Sequence, residues 1–139
     1  MTALPECEGA VAVLDTQTMT LRTPAAWRRE VFAPDAPDAA VHIAFLASQE
    51  PDGLWLHTRG LRKFGRPDLS MRGLVEDEME AAASVLERFA SFFVAGGHLE
   101  EGREVQMKGW PPGWRCHLAG DLDDPDYNNV HVEIVRPTE

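Results

Sequence analysis

With 139 residues and a formal net charge of −10, the chain is long enough to bury one real core and too acidic to suit duplex nucleic acid. Its 44% apolar and 26% charged residues are ordinary globular material, which excludes disorder except at the ends and predicts a single domain over residues 1–139. No apolar stretch approaches the roughly 20 residues that cross a bilayer, so no membrane partner is expected.

The first residues, MTALPECEGAVAVLD, carry no basic segment ahead of a short apolar run. They do not read as a signal peptide, so cytoplasmic residence with reduced thiols is the expectation. Cys7 and Cys116 match no CxxC spacing, and their spacing leaves a pairing between them open. GAVAVLDT at 9–16 predicts a short buried strand, with TMTLR at 18–22 its extension or neighbour. Thr23 can accept from exposed amides and Pro24 suits a first helical turn, which predicts a two-turn helix over 23–32. APDAPD at 33–38 ends it.

AVHIAFLAS at 40–48 alternates, EPDG at 50–53 supplies turn residues, and GLWLHTR at 53–59 returns, so this region predicts a β-hairpin. A loop, GLRKFGRP, and a short extended piece, DLSMRGL, follow. The firmest element is a helix over 76–97. Met79, Ala82, Ala83, Leu86, Phe89, Ala90 and Phe93 form its apolar stripe, acids crowd its first turn, and Gly96–Gly97 close it. Strands are predicted at 103–108, 114–119 and 129–135. Their short connections favour antiparallel pairing, giving an α+β fold: a mostly antiparallel sheet with one long and one short helix packed on one face.

Side chains alternate faces along a strand. Val130, Val132 and Ile134 facing the helices would leave His131 and Glu133 on the open side. By the same parity, Trp114, Cys116 and Leu118 inward leave His117 outward, while Leu54 and Leu56 inward leave Trp55, His57 and Arg59 outward. His42 is expected to share that face. If their strands are neighbours, His57, His117, His131 and Glu133 would form a metal site for a hydrolase-type reaction, since imidazole and carboxylate suit zinc-like ions. The plainer reading is a solvated sheet face that happens to carry histidines.

Other patterns fail as catalytic signatures. DLDDPDYNN at 121–129 starts like a calcium loop, but Pro125 and Asp126 stand where a ligand and a glycine are needed, so it reads as an acidic turn. No GxSxG is present, GLRKFGRP lacks the GK[ST] ending, and Cys7 lies among acids that would raise its pKa. No catalytic residue and no cofactor are therefore assigned. GWPPGW at 109–114 places Trp110 and Trp114 around a stiff Pro-Pro pair, as an aromatic interface if exposed and as core if buried.

The charge contrast lies at HTRGLRKFGRPDLSMRG, 57–73. Residues 57–75 carry a net +4, against −5 before them and −9 after them. Gly60, Gly65 and Pro67 punctuate a loop that Leu61 and Phe64 would pin, leaving Arg59, Arg62, Lys63 and Arg66 towards solvent. They would either neutralise the acids at Glu76 and at 121–126, or capture an anion, since arginine binds carboxylate and phosphate bidentately. Residues 57–69 resemble a motif, His-Thr-x-Gly-Leu then Phe-Gly-x-Pro-acid-Leu, of bacterial domains of unknown function. The resemblance implies a bacterial origin and a recurring small α+β module, and carries over no activity. The leading expectation is a non-catalytic interaction module that recognises a protein or small anionic ligand, or a second copy, through the 59–66 loop. The metal-assisted enzyme is the alternative.

Overall fold

The structure, a computed structural model, describes residues 9, 11–32, 38–123, 125 and 129–138. The chain opens with a two-stranded hairpin, β1 (Val13–Asp15) and β2 (Thr20–Arg22), in which Leu14 pairs with Leu21. The second strand feeds a short helix, α1 (Pro24–Trp27), continued as a wider turn over Arg28–Phe32. Thr23 caps α1 as expected, its hydroxyl accepting from the Ala26 amide at 3.1 Å with Pro24 in the first turn.

A five-stranded sheet follows: β3 (Ala44–Glu50), β4 (Gly53–Arg59), β5 (Asp68–Leu74), β6 (Arg115–Ala119) and β7 (His131–Val135), in the order β3-β4-β5-β7-β6. Only β5 and β7 run parallel, so the α+β, mostly antiparallel architecture holds. Ala39–His42 forms a helical turn, α2, ahead of β3. The long helix α3 (Met79–Val94) connects β5 to the second half of the chain and packs on β4 and β5. A 3₁₀ turn at Glu76–Glu78 leads into α3, and Glu78 reaches back to accept from the Val75 amide at 3.0 Å. Leu56, Leu69, Met71, Cys116, Val132 and Ile134 form the sheet's side of one core with Ala82, Val85, Leu86, Phe89, Ala90 and Phe93 of the helix. No helix among the described residues is long and apolar enough to cross a membrane.

Two local expectations are corrected. His42 lies in α2 and precedes β3 instead of sitting on it; its ring meets Phe64 edge-on at 5.4 Å. Residues 103–108 form no strand: a lone bridge joins Glu104 to Arg115, and the segment then departs to lie along α3. The extended piece at 68–74 is the central strand. Asp68, Leu69, Ser70 and Met71 are all buried, and β4 and β7 flank the strand on both edges. At the edge of the sheet Leu118 shares the parity of buried Cys116 but is 53% exposed.

Candidate functional site

The 57–69 run is built around one buried carboxylate. Asp68 is fully buried at the start of β5 and accepts from the Thr58 hydroxyl at 2.9 Å, the Leu61 amide at 3.3 Å and Asn129 Nδ2 at 2.9 Å. Burial pushes it above the usual carboxylate range despite these donors. Thr58 also accepts from the Leu69 amide at 2.9 Å, which ties β4 to β5. Gly60 holds φ +116°, and a Cβ there would stand 2.3 Å from the His42 carbonyl oxygen. Leu61 is fully buried and opens the 3₁₀ turn Leu61–Phe64, which Gly65 closes at φ +67°. The motif residues thus have architectural roles.

The cations of this loop meet internal partners. Arg66 closes the C-terminus of α3, donating from Nε to the Gly97 carbonyl at 3.0 Å and from Nη2 to the Gly96 carbonyl at 2.9 Å. Those two glycines already end the helix with amides turned back to Phe93 and Phe92, which leaves their own carbonyls for the guanidinium. Lys63 pairs with Asp15 of β1. Burial draws Asp15 upward, and Lys63 with the Gln17 and Thr18 amides outweighs it, holding the carboxyl below its usual range. Arg62 donates to the Leu122 carbonyl at 3.3 Å, and Arg59 lies in the field of Asp68. The helix end that the loop serves is therefore the C-terminal one, not the acidic turn at Glu76. Asp124 and Asp126 of the acidic turn fall outside the described residues.

The sheet face turned away from α3 was expected to be solvated, but His57, Ser70 and His131 on it are buried. There His57 of β4, Ser70 of β5, Glu133 of β7 and His117 of β6 occupy one cross-strand row. Two strand spacings, roughly 10 Å, separate His57 from Glu133. Each side chain has turned to a nearer partner. His57 stacks on Trp55 with ring centroids 3.9 Å apart. His131 Nε2 lies 3.2 Å from Glu133, and His117 Nδ1 lies 2.7 Å from Glu101. Trp55 donates to Ser70 Oγ at 2.8 Å, while Arg72 lies over the Trp55 ring at 4.0 Å and 3.5 Å from Glu133. Among the described residues no three His, Cys, Asp or Glu side chains are placed to hold one metal ion. The face is a filled polar network whose Trp55 and Arg72 had no place among the sequence candidates.

Trp110 and Trp114 meet edge to face at 4.9 Å and are 8% and 1% exposed, so both indoles are spent on the core. Cys116 is buried in the same core and its thiol is pushed up to about 11, which makes it inert at neutral pH. Cys7 lies outside the described residues.

A site the sequence did not flag lies beside α3. The segment leaving α3 runs back along the helix and borders two adjoining half-open cavities that share Arg88 and Met107. One, of about 320 Å³, is lined by Phe89, Phe92, Leu99 and Met107 with Arg88, His98 and Arg103. Among the described residues Arg88, Arg103 and His98 make no ion pair. The acid of that cavity, Glu104, instead faces Arg115 at 3.9 Å. The second cavity, of about 360 Å³, is lined by Arg88, Lys108, Asp77 and Glu80, and on its lining Trp110 keeps a buried Nε1–H with no hydrogen-bond partner among the described residues. The available signal was two isolated arginines, Arg88 and Arg103, inside the most acidic part of the chain. A strand expectation for 103–108 obscured it.

No family model, no curated protein and no solved structure matches the chain.

Proposed function

We propose that the chain is a non-catalytic binding module for a small anionic ligand, received in the cavity between α3 and residues 98–107. The observation that carries this reading is the pair Arg88 and Arg103, with His98 beside them. In a chain of net charge −10, these two arginines line one cavity without ion pairs to described residues, while Arg66 and Lys63 of the basic loop have internal partners. An unneutralised guanidinium is a ready bidentate donor to carboxylate or phosphate. The volume of about 320 Å³ falls at the low end of the roughly 300–1,000 Å³ typical of small-ligand sites. The 59–66 loop serves here as scaffold, and the sheet-face histidines as a packed polar layer.

The test is an amide and arginine Nε–H chemical-shift titration with acetate and with inorganic phosphate, at ionic strength held constant with chloride. Saturable shifts over residues 88–107 that vanish in the Arg88→Gln, Arg103→Gln double variant are expected. Saturable shifts at 59–66 instead would return the role to the basic loop, and shifts that never saturate would remove the module reading.

A further inference from the structure

Resting on that reading, we infer that the ligand is amphipathic: one anionic head, a carboxylate or phosphate monoester, on a short apolar body. Arg88 and Arg103 address the head, while Phe89, Phe92, Leu99 and Met107 line the same cavity as a surface for the body. Phe92 is the telling side chain. It is 46% exposed, and its ring rests where any side chain at Gly97 would collide with it, 2.4 Å from a Cβ there. The α3 ending therefore holds an aromatic ring at the rim beside two guanidinium groups that pair with no described acid.

An inorganic anion would satisfy the guanidinium groups and leave these rings in water. A plain hydrocarbon would cover the rings and strand the charges under a lid of low dielectric. A ligand carrying both parts answers the whole lining, and methionine beside aromatic rings tolerates either an alkyl or an aryl body. The modest volume favours a short body over a long lipid chain.

Four probes at matched ionic strength test this: octanoate, octyl phosphate, acetate and 1-octanol, followed by titration calorimetry and by the shifts of residues 88–107. Octanoate or octyl phosphate should bind at least ten-fold more tightly than acetate and than 1-octanol, since each buried methylene adds to affinity. Whichever of the two binds more tightly identifies the head. Phe92→Ala, at an exposed position, should weaken the eight-carbon acid about ten-fold and leave acetate unchanged. Acetate binding as well as octanoate would overturn the amphipathic ligand and leave the anion site standing. Octanol matching octanoate, or no saturable binding by any probe, would overturn both.

Discussion

Thr58 and Asp68 face one another across the turn between β4 and β5, the hydroxyl donating to Oδ1 at 2.9 Å while it accepts from the Leu69 amide. One side chain thus serves a buried carboxylate and a strand backbone together. Thr58→Val keeps the shape and removes both bonds, leaving the Leu69 N–H unserved and Asp68 Oδ1 with the Leu61 amide alone. A loss of about 1–3 kcal/mol in urea unfolding is expected, with an unchanged m-value. A neutral outcome would mean that the Asp68 cage does not hold the turn.

Asp68 also sets a pH dependence of unusual sign. Its folded pKa is raised, by burial first, so in the window above the ordinary value of 3.8 the folded chain holds a proton that the unfolded chain has released. Stability from this group is fully present below 3.8 and is lost as pH rises through the raised value. Subtracting the stability–pH curve of Asp68→Asn from that of the natural chain should leave a difference that falls with rising pH across this window. A difference that rises there would contradict the assignment.

How much of this could be read beforehand depended on the range of the deciding contact. The α3 stripe, the β3–β4 hairpin and the inward parity of Cys116, Val132 and Ile134 follow from local periodicity, and the structure has them. The extended form of 68–74 is legible too; its central place is not, because the bonds that bury Asp68 and Ser70 come from Thr58, Asn129 and Trp55. Arg66 reads as a free cation for the same reason: the carbonyls it caps lie 30 residues away in sequence or more. Parity placed the sheet-face histidines on one side; strand order sets His57 two strands from Glu133, and His117, in register with Glu133 on the neighbouring strand, turns to Glu101 instead.

Arg66 separates a structural role from a binding role in the basic loop. Its two charge-assisted bonds to the end of α3 should make Arg66→Ala about 1 kcal/mol less stable and speed hydrogen exchange of the last-turn amides, Ala95 to Gly97. Unchanged stability and exchange would free the guanidinium for an external partner.

Gly60 should tolerate no side chain. Its φ of +116° and the His42 carbonyl oxygen, which would lie 2.3 Å from any Cβ at this position, combine backbone strain with a clash against main chain that cannot rotate away. Gly60→Ala should cost more than about 3 kcal/mol in denaturant melts, whereas Gly65→Ala, with open space around its Cβ, should cost only about 1 kcal/mol of left-handed strain. Equal losses at the two sites would show that the close approach of residue 60 to His42 is relaxed in solution.

The last contrast is between cations with partners and cations without. Arg136 grips Glu78 through two bonds of 2.9 and 3.1 Å, donates to the Gly73 carbonyl at 2.8 Å and lies over Trp114. Those bonds hold Glu78 below its usual carboxylate range, so their stabilisation is present above the unfolded value of 4.5 and is lost as pH falls through the folded one. Arg136→Gln should therefore cost about 0.2–1 kcal/mol more at neutral pH than once Glu78 is protonated. Arg88→Gln and Arg103→Gln break no ion pair with a described residue and should stay within about 0.5 kcal/mol at either pH. Urea melts of the three variants at the two pH values decide this. A pH-dependent loss at Arg88 or Arg103 as large as that at Arg136 would mean that these arginines serve the fold and are not held in reserve for a ligand.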